Sequence, residues 1–388
     1  MEKGNVLVIG NSGVGKSTLI NAVLGENLAI TGFGTTGTTK ELSIYESSEV
    51  PFRVIDTAGF EPSLLRERAA INAVKKWSKQ SAKKGNEDTQ INVIWFCVDG
   101  TSSKLFPKTI KYLSKATSMW STVPIIVVIT KSYSVPDREQ NIDMIQNAFA
   151  MEKRYSKNLK KIIPVVASTF VLNDNAYAAP EGITELIEIT HELLPEGIKA
   201  AKTDISTFIL NRKRALAHGL VGVATSGSVV VGAVPIAFSD AAILAPLEVT
   251  MVNSLAKIYG IDKNEESNRF LKSIVEVGTV GLAAKQAINV LKAIPGINIG
   301  ASLINAIIAG SIVAAIGEGS IYAFEQIYLG KKSVNDIEWI RKLIESKLSN
   351  QFIERAMIAL KQISNKSDIN QIAKIILNTF EPSNENAH

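Results

Sequence analysis

Cysteine is almost absent: Cys97 stands alone in 388 residues. That excludes an internal disulfide framework and suits a reducing, cytosolic setting. Histidine is nearly as scarce. His191, His218 and His388 lie far apart with no cysteine or carboxylate cluster near them, so no zinc site built by the protein is expected. Charge of one sign is also in short supply. The net charge is +5 with a pI near 9.0, which suits anionic surfaces but gives no clear nucleic-acid signal. No leader is expected, because Met1–Asn5 runs straight into an apolar strand. With 46% hydrophobic and 20% charged residues the chain is foldable, and its length calls for two domains.

What is present is concentrated at the front. Gly4–Gly10 (G-N-V-L-V-I-G) reads as a strand, Gly10–Ser17 as G-N-S-G-V-G-K-S, and Thr18–Leu24 continues with helical spacing. This is the phosphate-binding pattern G-x-x-x-x-G-K-[ST] in its strand–loop–helix setting. Gly10, Gly13 and Gly15 let the backbone curl into an anion nest, with Asn11, Ser12, Val14 and Thr18 filling out the loop. The helix adds its positive N-terminal end. Lys16 is expected to reach the β- and γ-phosphates, and Ser17 to hold Mg²⁺ through its hydroxyl.

A Gly/Thr-rich loop, Thr31–Thr39, precedes two strand-like runs, Glu41–Glu46 and Phe52–Asp56. The second ends in D-T-A-G, where Asp56 suits the metal shell and Gly59 a γ-phosphate contact. On these motifs the segment resembles the Era/TrmE branch of translation-factor-type GTPases, and more distantly the immunity-related and dynamin-like GTPases. The resemblance implies that Thr39, ahead of Lys40, closes on the γ-phosphate and Mg²⁺, with Thr38 the runner-up. The catalytic set is then Lys16, Thr39 and Gly59, and the metal set Ser17, Thr39 and Asp56.

The same resemblance assigns base reading to [NT]-K-x-D. This chain has T-K-S-Y-S: Thr130 and Lys131 match, Tyr133 stands fourth where the Asp belongs, Ser134 follows it, and Asp137 comes three residues after that. Val166–Ser168 (V-A-S) resembles the fifth box, with Ala167 and Ser168 near the guanine carbonyl. Guanine is favoured over adenine. After D-x-x-G stands Phe60, which cannot orient water as a Gln would, so slow turnover is expected, or turnover aided by a partner G domain.

The remaining alternation predicts a doubly wound sheet. Strands are expected at Ile91–Asp99, Pro124–Thr130 and Lys161–Ser168. Helices are expected at Leu64–Lys84, Leu105–Met119, Asp137–Tyr155 and Gly182–Leu194.

From Ala200 helical spacing takes over. Gly219–Ser239 and Ala293–Gly317 carry no charge and are long enough to cross a bilayer. The connection between them is lysine-bearing and charge-balanced, which argues against translocation. A compact helical domain with a Gly/Ala-rich buried hairpin is therefore expected. Ser302, Ala306, Gly310 and Ala314 form a small-residue stripe. The cluster Arg212–Arg214 suits either anionic lipid or a solvated face. Pro235–Ile261 lies within a stretch resembling an uncharacterised helical domain found behind bacterial Era-like GTPase domains, which lends no catalytic residues. Val334–Phe380 predicts two or three amphipathic helices with Trp339, Leu343 and Leu348 on one face.

The sequence thus predicts an α/β fold, a P-loop GTPase doubly wound mixed sheet over residues 1–196, followed by an all-α domain over 197–388. The expected function is slow hydrolysis of GTP to GDP and phosphate with Mg²⁺, in a switch that moves its helical half. A membrane-associating or membrane-remodelling protein is the rival, and an ATP-using relative the weaker one. Expected partners are guanine nucleotide, a nucleotide-dependent homodimer through the G domain and an anionic membrane surface. The expected setting is the cytoplasm, with membrane association as the variant.

Overall fold

The computed structural model describes residues 3–25, 42–57, 90–105, 107, 110–111, 122–152, 156–173, 176–199, 205–233, 245–280, 301–364 and 367–380. The chain divides into two units, Met1–Ser168 with Pro180–Arg212, and Thr169–Ala179 with Lys213–His388.

The first unit is built on six strands: β1 (Gly4–Gly10), β2 (Leu42–Glu46), β3 (Phe52–Thr57), β4 (Ile91–Asp99), β5 (Ile125–Thr130) and β6 (Leu159–Pro164). Their order in the sheet is β2-β3-β1-β4-β5-β6. Strands β3, β1, β4, β5 and β6 run parallel, and β2 closes the edge antiparallel to β3. The sheet is therefore mixed. Every residue of β1 and β5 is buried, as near-continuous apolar runs in a parallel sheet require. Each such Val, Ile or Leu contributes about 1.5–3 kcal/mol by leaving water. Because β1 has β3 on one side and β4 on the other, the chain's first crossover direction reverses at its carboxyl end. That crevice is where open α/β sheets take ligands.

Helix α1 (Lys16–Leu24) leaves β1 through the glycine loop and ends at Gly25, whose φ of 103° lets its N–H return to Asn21 O. Arg212 Nη2 donates to Ala22 O at 2.7 Å, a cation at the negative end of that helix. Helix α2 (Val135–Met151) follows β5 and has Asp137 in its first turn. Helix α3 (Ile183–Glu192) follows Gly182, and α4 (Glu196–Lys199) is one short turn.

Several boundaries differ from expectation. The last strand ends at Pro164 rather than Ser168, because Val166 leaves the sheet to pair antiparallel with Glu181. Helix α2 starts at Val135, two residues early, since Pro136 is tolerated in a first turn. A hairpin absent from the sequence reading, β7 (Phe170–Asn173) and β8 (Ala176–Ala178), falls in the second unit. The hairpin precedes residue 197, and from there on every described element is a helix, as expected. The helix expected at Leu64–Lys84 lies outside the described residues, as does most of Leu105–Met119.

In the second unit, α5 (Ile205–Ala233, whose first turns belong to the first unit) is followed by α6 (Ala245–Ile258), α7 (Glu265–Val280) and α8 (Ala301–Tyr328). Three shorter helices complete it: α9 (Ile337–Lys347), α10 (Asn350–Gln362) and α11 (Ile369–Phe380). Helix α8 is buried continuously from Ala306 to Gly317. It is apolar all round because helices cover it all round. A Cβ added at Gly310 would lie 2.7 Å from both Val229 of α5 and Ile376 of α11. At Gly317 it would lie 2.6 Å from Val221, and at Gly319 2.9 Å from Ile344 of α9. The pairs Val221/Gly317 and Val229/Gly310 fix α5 and α8 as antiparallel.

Of the two uncharged stretches, 219–233 lies on α5 and 301–317 on α8, while 234–239 and 293–300 lie outside the described residues. The most apolar 18-residue window of Ser302–Tyr328 is 89% buried inside the protein and that of Ile205–Val231 39%. The basic cluster is engaged within the fold: Arg212 on Ala22 O, Lys213 on Ile258 O at 2.9 Å, and Arg214 on the Glu325 carboxylate. In the tail the buried stripe is Ile340, Ile344 and Leu348, while Trp339 sits half-exposed under the Lys332 ammonium.

Candidate functional site

The carboxyl ends of β1, β3, β4 and β5 converge on the glycine loop. Register pairs Val8 with Asp56, Gly10 with Cys97 and Asp99 with Thr130. Gly10 is obligatory for close approach, since a Cβ there would meet Cys97 O at 2.7 Å. Gly13 (φ 77°) and Gly15 (φ 98°) take the left-handed region and make the curl. Among the described residues, the main-chain N–H groups of Gly13, Gly15, Lys16 and Ser17 have no protein acceptor. Donors left this way at a helix N-terminus form a receptor for anions.

Lys16 is only 7% exposed. Its Nζ donates to Gly10 O at 3.0 Å and Asn11 O at 3.1 Å, folding back over the loop. An ammonium has three donors, so the two carbonyls leave one for an anionic oxygen. Asn11 is half-exposed, Ser12 exposed, Val14 buried, and Ser17 and Thr18 exposed.

Asp56, the penultimate residue of β3, lies beside this cluster. Its Oδ1 is buried and lacks a hydrogen-bond partner. Burial pushes the carboxyl up to about 6 while the Lys16 ammonium pulls it down. A buried, orphaned carboxylate oxygen near a buried ammonium fits a hard cation such as Mg²⁺, which takes carboxylate and hydroxyl oxygens. The expected ligand Ser17 opens α1 with its side chain exposed. Thr39 and Gly59, with Thr38 and Phe60, lie outside the described residues.

On the base side, Thr130 is buried and its hydroxyl lies 2.6 Å from Val14 O and 2.9 Å from Val98 O. It fastens the glycine loop to the sheet. Lys131 has a φ of 53°, the one non-glycine residue in the left-handed region among those described. Such strain needs surroundings that hold it. Here Lys131 Nζ donates to Gly13 O at 2.8 Å and to Asp99 Oδ2 at 2.7 Å. Asp99 also accepts from the Thr101 N–H and hydroxyl, and these partners with Lys131 hold its carboxyl below the usual range against the opposing effect of burial. Ser134 is the exposed residue just before α2, and its side chain makes no capping bond. Asp137 is exposed on the first turn. Ala167 and Ser168 follow Val166, whose neighbour Val165 accepts from the Ser132 N–H at 3.2 Å.

The sequence reading missed Asp99, although it ends a buried strand just as Asp56 does. It also missed Arg138 and Glu181, which are joined by an ion pair of 2.8 Å and carry no local motif. Cys97 is buried, and burial pushes its thiol up to about 12, so it is no nucleophile.

Residues 5–131 match the family described as 50S ribosome-binding GTPase, and residues 199–350 match a domain of unknown function, DUF697. GTPase Era of Geobacter sp. (strain M21) is 29% identical over 212 residues, covering 54% of this chain and 61% of that protein. GTPase Der of Neisseria meningitidis serogroup B (strain ATCC BAA-335 / MC58) is 43% identical over 91 residues, covering 22% of this chain and 17% of that protein. The matches thus span 61% and 17% of these relatives' lengths, less than two thirds of either. A crystal structure of Era in complex with MgGDPNP and nucleotides 1506-1542 of 16S ribosomal RNA is 21% identical, with a TM-score of 0.34, over 59% of this chain and 68% of that one.

Proposed function

We propose that this chain, which carries a P-loop GTPase domain similar to Era and Der followed by a DUF697 domain, binds GTP and hydrolyses it slowly to GDP and phosphate as a nucleotide-dependent switch. The observation that carries the reading is the set of unclaimed main-chain N–H groups around a buried Lys16, with the orphaned Asp56 oxygen beside it. In this reading the N–H groups of Gly13, Gly15, Lys16 and Ser17 cradle the phosphates and Lys16 clamps the β/γ oxygens. Ser17, Asp56 and Thr39 hold Mg²⁺, which when bound supplies charge neutralisation on the triphosphate. Lys131 and the Ala167–Ser168 loop line the base side, and Gly59 senses the γ-phosphate. Order and disorder of the Thr31–Thr39 and Gly59–Ser63 segments then relays hydrolysis to the helical half.

Titrating labelled GTP, GDP and ATP into the full chain and into Lys16→Ala tests this. Guanine nucleotides should bind the wild type and bind Lys16→Ala at least about 100-fold more weakly. Equal binding by both proteins would end the reading. A homodimer through the G domains is part of the proposal, checked by light scattering with GDP and with GDP plus aluminium fluoride.

One observation favours a second reading, in which the helical half works at an anionic membrane. The most apolar 18-residue window of the Ile205–Val231 span is 39% buried inside the protein, most of the rest being half-buried. Flotation with phosphatidylglycerol vesicles, with and without GTP, separates the two. Protein that stays at the bottom of every gradient removes the membrane reading and leaves a cytoplasmic switch.

A further inference from the structure

The base-side rim lacks its expected carboxylate, yet it is tied together by one guanidinium. Arg138, on the first turns of α2, donates from Nε at 3.0 Å and from Nη2 at 2.8 Å to Ser132 O. Its Nη1 meets Glu181 Oε2 at 2.8 Å. Glu181 is in turn the residue whose main chain pairs with Val166 in both directions, at 3.0 Å each. A single planar group therefore spans from the Lys131–Ser134 loop to the Val165–Ser168 loop, the two segments that would flank a purine. A direct main-chain link between these loops is the Ser132 N–H to Val165 O bond of 3.2 Å. Arginine suits this work because its donors are fixed in one plane, and charge-assisted bonds are the stronger kind.

The geometry points to Arg138 as the positioning residue that sets purine selection in this chain. The inference rests on the guanine reading above. With Tyr133 in the place of the Asp, discrimination falls to main-chain donors and acceptors on the two loops. A main-chain pattern tells guanine from adenine only while its loops keep their spacing, since hydrogen bonds weaken steeply with distance and angle. Arg138 fixes that spacing and touches neither phosphates nor metal. Removing it should relax base choice and leave triphosphate affinity alone.

The test uses the full chain and three probes: GTP, ATP and inorganic tripolyphosphate. Arg138→Gln is expected to lower the ratio of ATP to GTP dissociation constants about tenfold. Its tripolyphosphate affinity should stay within about twofold of wild type. Glu181→Ala cuts the other end of the brace and should lower the same ratio, which keeps the inference testable if Arg138→Gln folds poorly. Glu181→Gln retains an acceptor oxygen and should keep most of the discrimination. An unchanged ratio in Arg138→Gln and Glu181→Ala overturns the inference, as does a parallel fall in affinity for all three probes. A wild type that binds GTP and ATP alike overturns the guanine reading, and this inference with it.

Discussion

The Lys131 ammonium donates to the carbonyl of Gly13 at 2.8 Å, across 118 positions of sequence. Its other partner is the Asp99 carboxylate at 2.7 Å. The chain therefore clamps the crown of its phosphate loop with the residue that follows β5, oriented by an acid from β4. Preorganisation of this kind counts because a loop already held in its binding shape loses less entropy on binding.

Removing the orienting acid tests the clamp. Asp99→Asn keeps the size and one acceptor but loses the ion pair, which is 32% exposed at the lysine and so of modest strength. Affinity for GTP and for inorganic tripolyphosphate should fall together, by about three- to tenfold. Calorimetric titration of both ligands checks this. Loss for GTP alone would mean that Lys131 serves only the base.

Asp56 should trade stability for metal binding. Burial lifts its carboxyl from 3.8 to about 6, so the folded chain holds a proton that the unfolded chain releases, and stability falls as pH rises through that window. Asp56→Asn should therefore make the nucleotide-free protein more stable at pH 7, by about 1–3 kcal/mol, with no gain at pH 4. The same variant should lose the enhancement of GTP binding by Mg²⁺. Urea melts at both pH values, with GTP titrations with and without MgCl₂, read out the two effects. A variant less stable than wild type at pH 7 refutes the assignment.

Glu248 on α6 is fully buried, and neither carboxylate oxygen has a hydrogen-bond partner. Burial pushes it up to about 8, so the cost of ionising it grows as pH rises from about 4.5 towards 8. Glu248→Gln should gain on the order of 2–4 kcal/mol over wild type at pH 8.5 and little at pH 5. Denaturant unfolding at the two pH values decides it. A gain that does not vary with pH would place the charge in water.

Gly317 is the sharpest packing test in the helical unit. An added Cβ would lie 2.6 Å and 2.7 Å from the two methyls of Val221, and a β-branched neighbour on a helix has no other rotamer to move into. Gly317→Ala should cost about 1–3 kcal/mol from overpacking, despite the roughly 1 kcal/mol that alanine gains in helix propensity. Thermal melts of the detergent-free protein measure it. An alanine that stabilises the chain would mean that α5 and α8 do not pack as described.

The sequence by itself determined the phosphate loop, because Gly13, Gly15 and Lys16 act through local backbone freedom and a side chain reaching back to Gly10 and Asn11. It determined the strands for the same kind of reason, since apolar runs such as Ile91–Asp99 have few other places to go. Tertiary structure alone decided the rest. Thr130 fastens the glycine loop to the sheet, and Asp99, Arg138 and Glu181 became partners of residues far away in the chain. Whether an apolar stretch such as Ala301–Tyr328 meets lipid or protein depends on what covers it. Composition records only that such a face must leave water, and the company it keeps is a property of the whole fold.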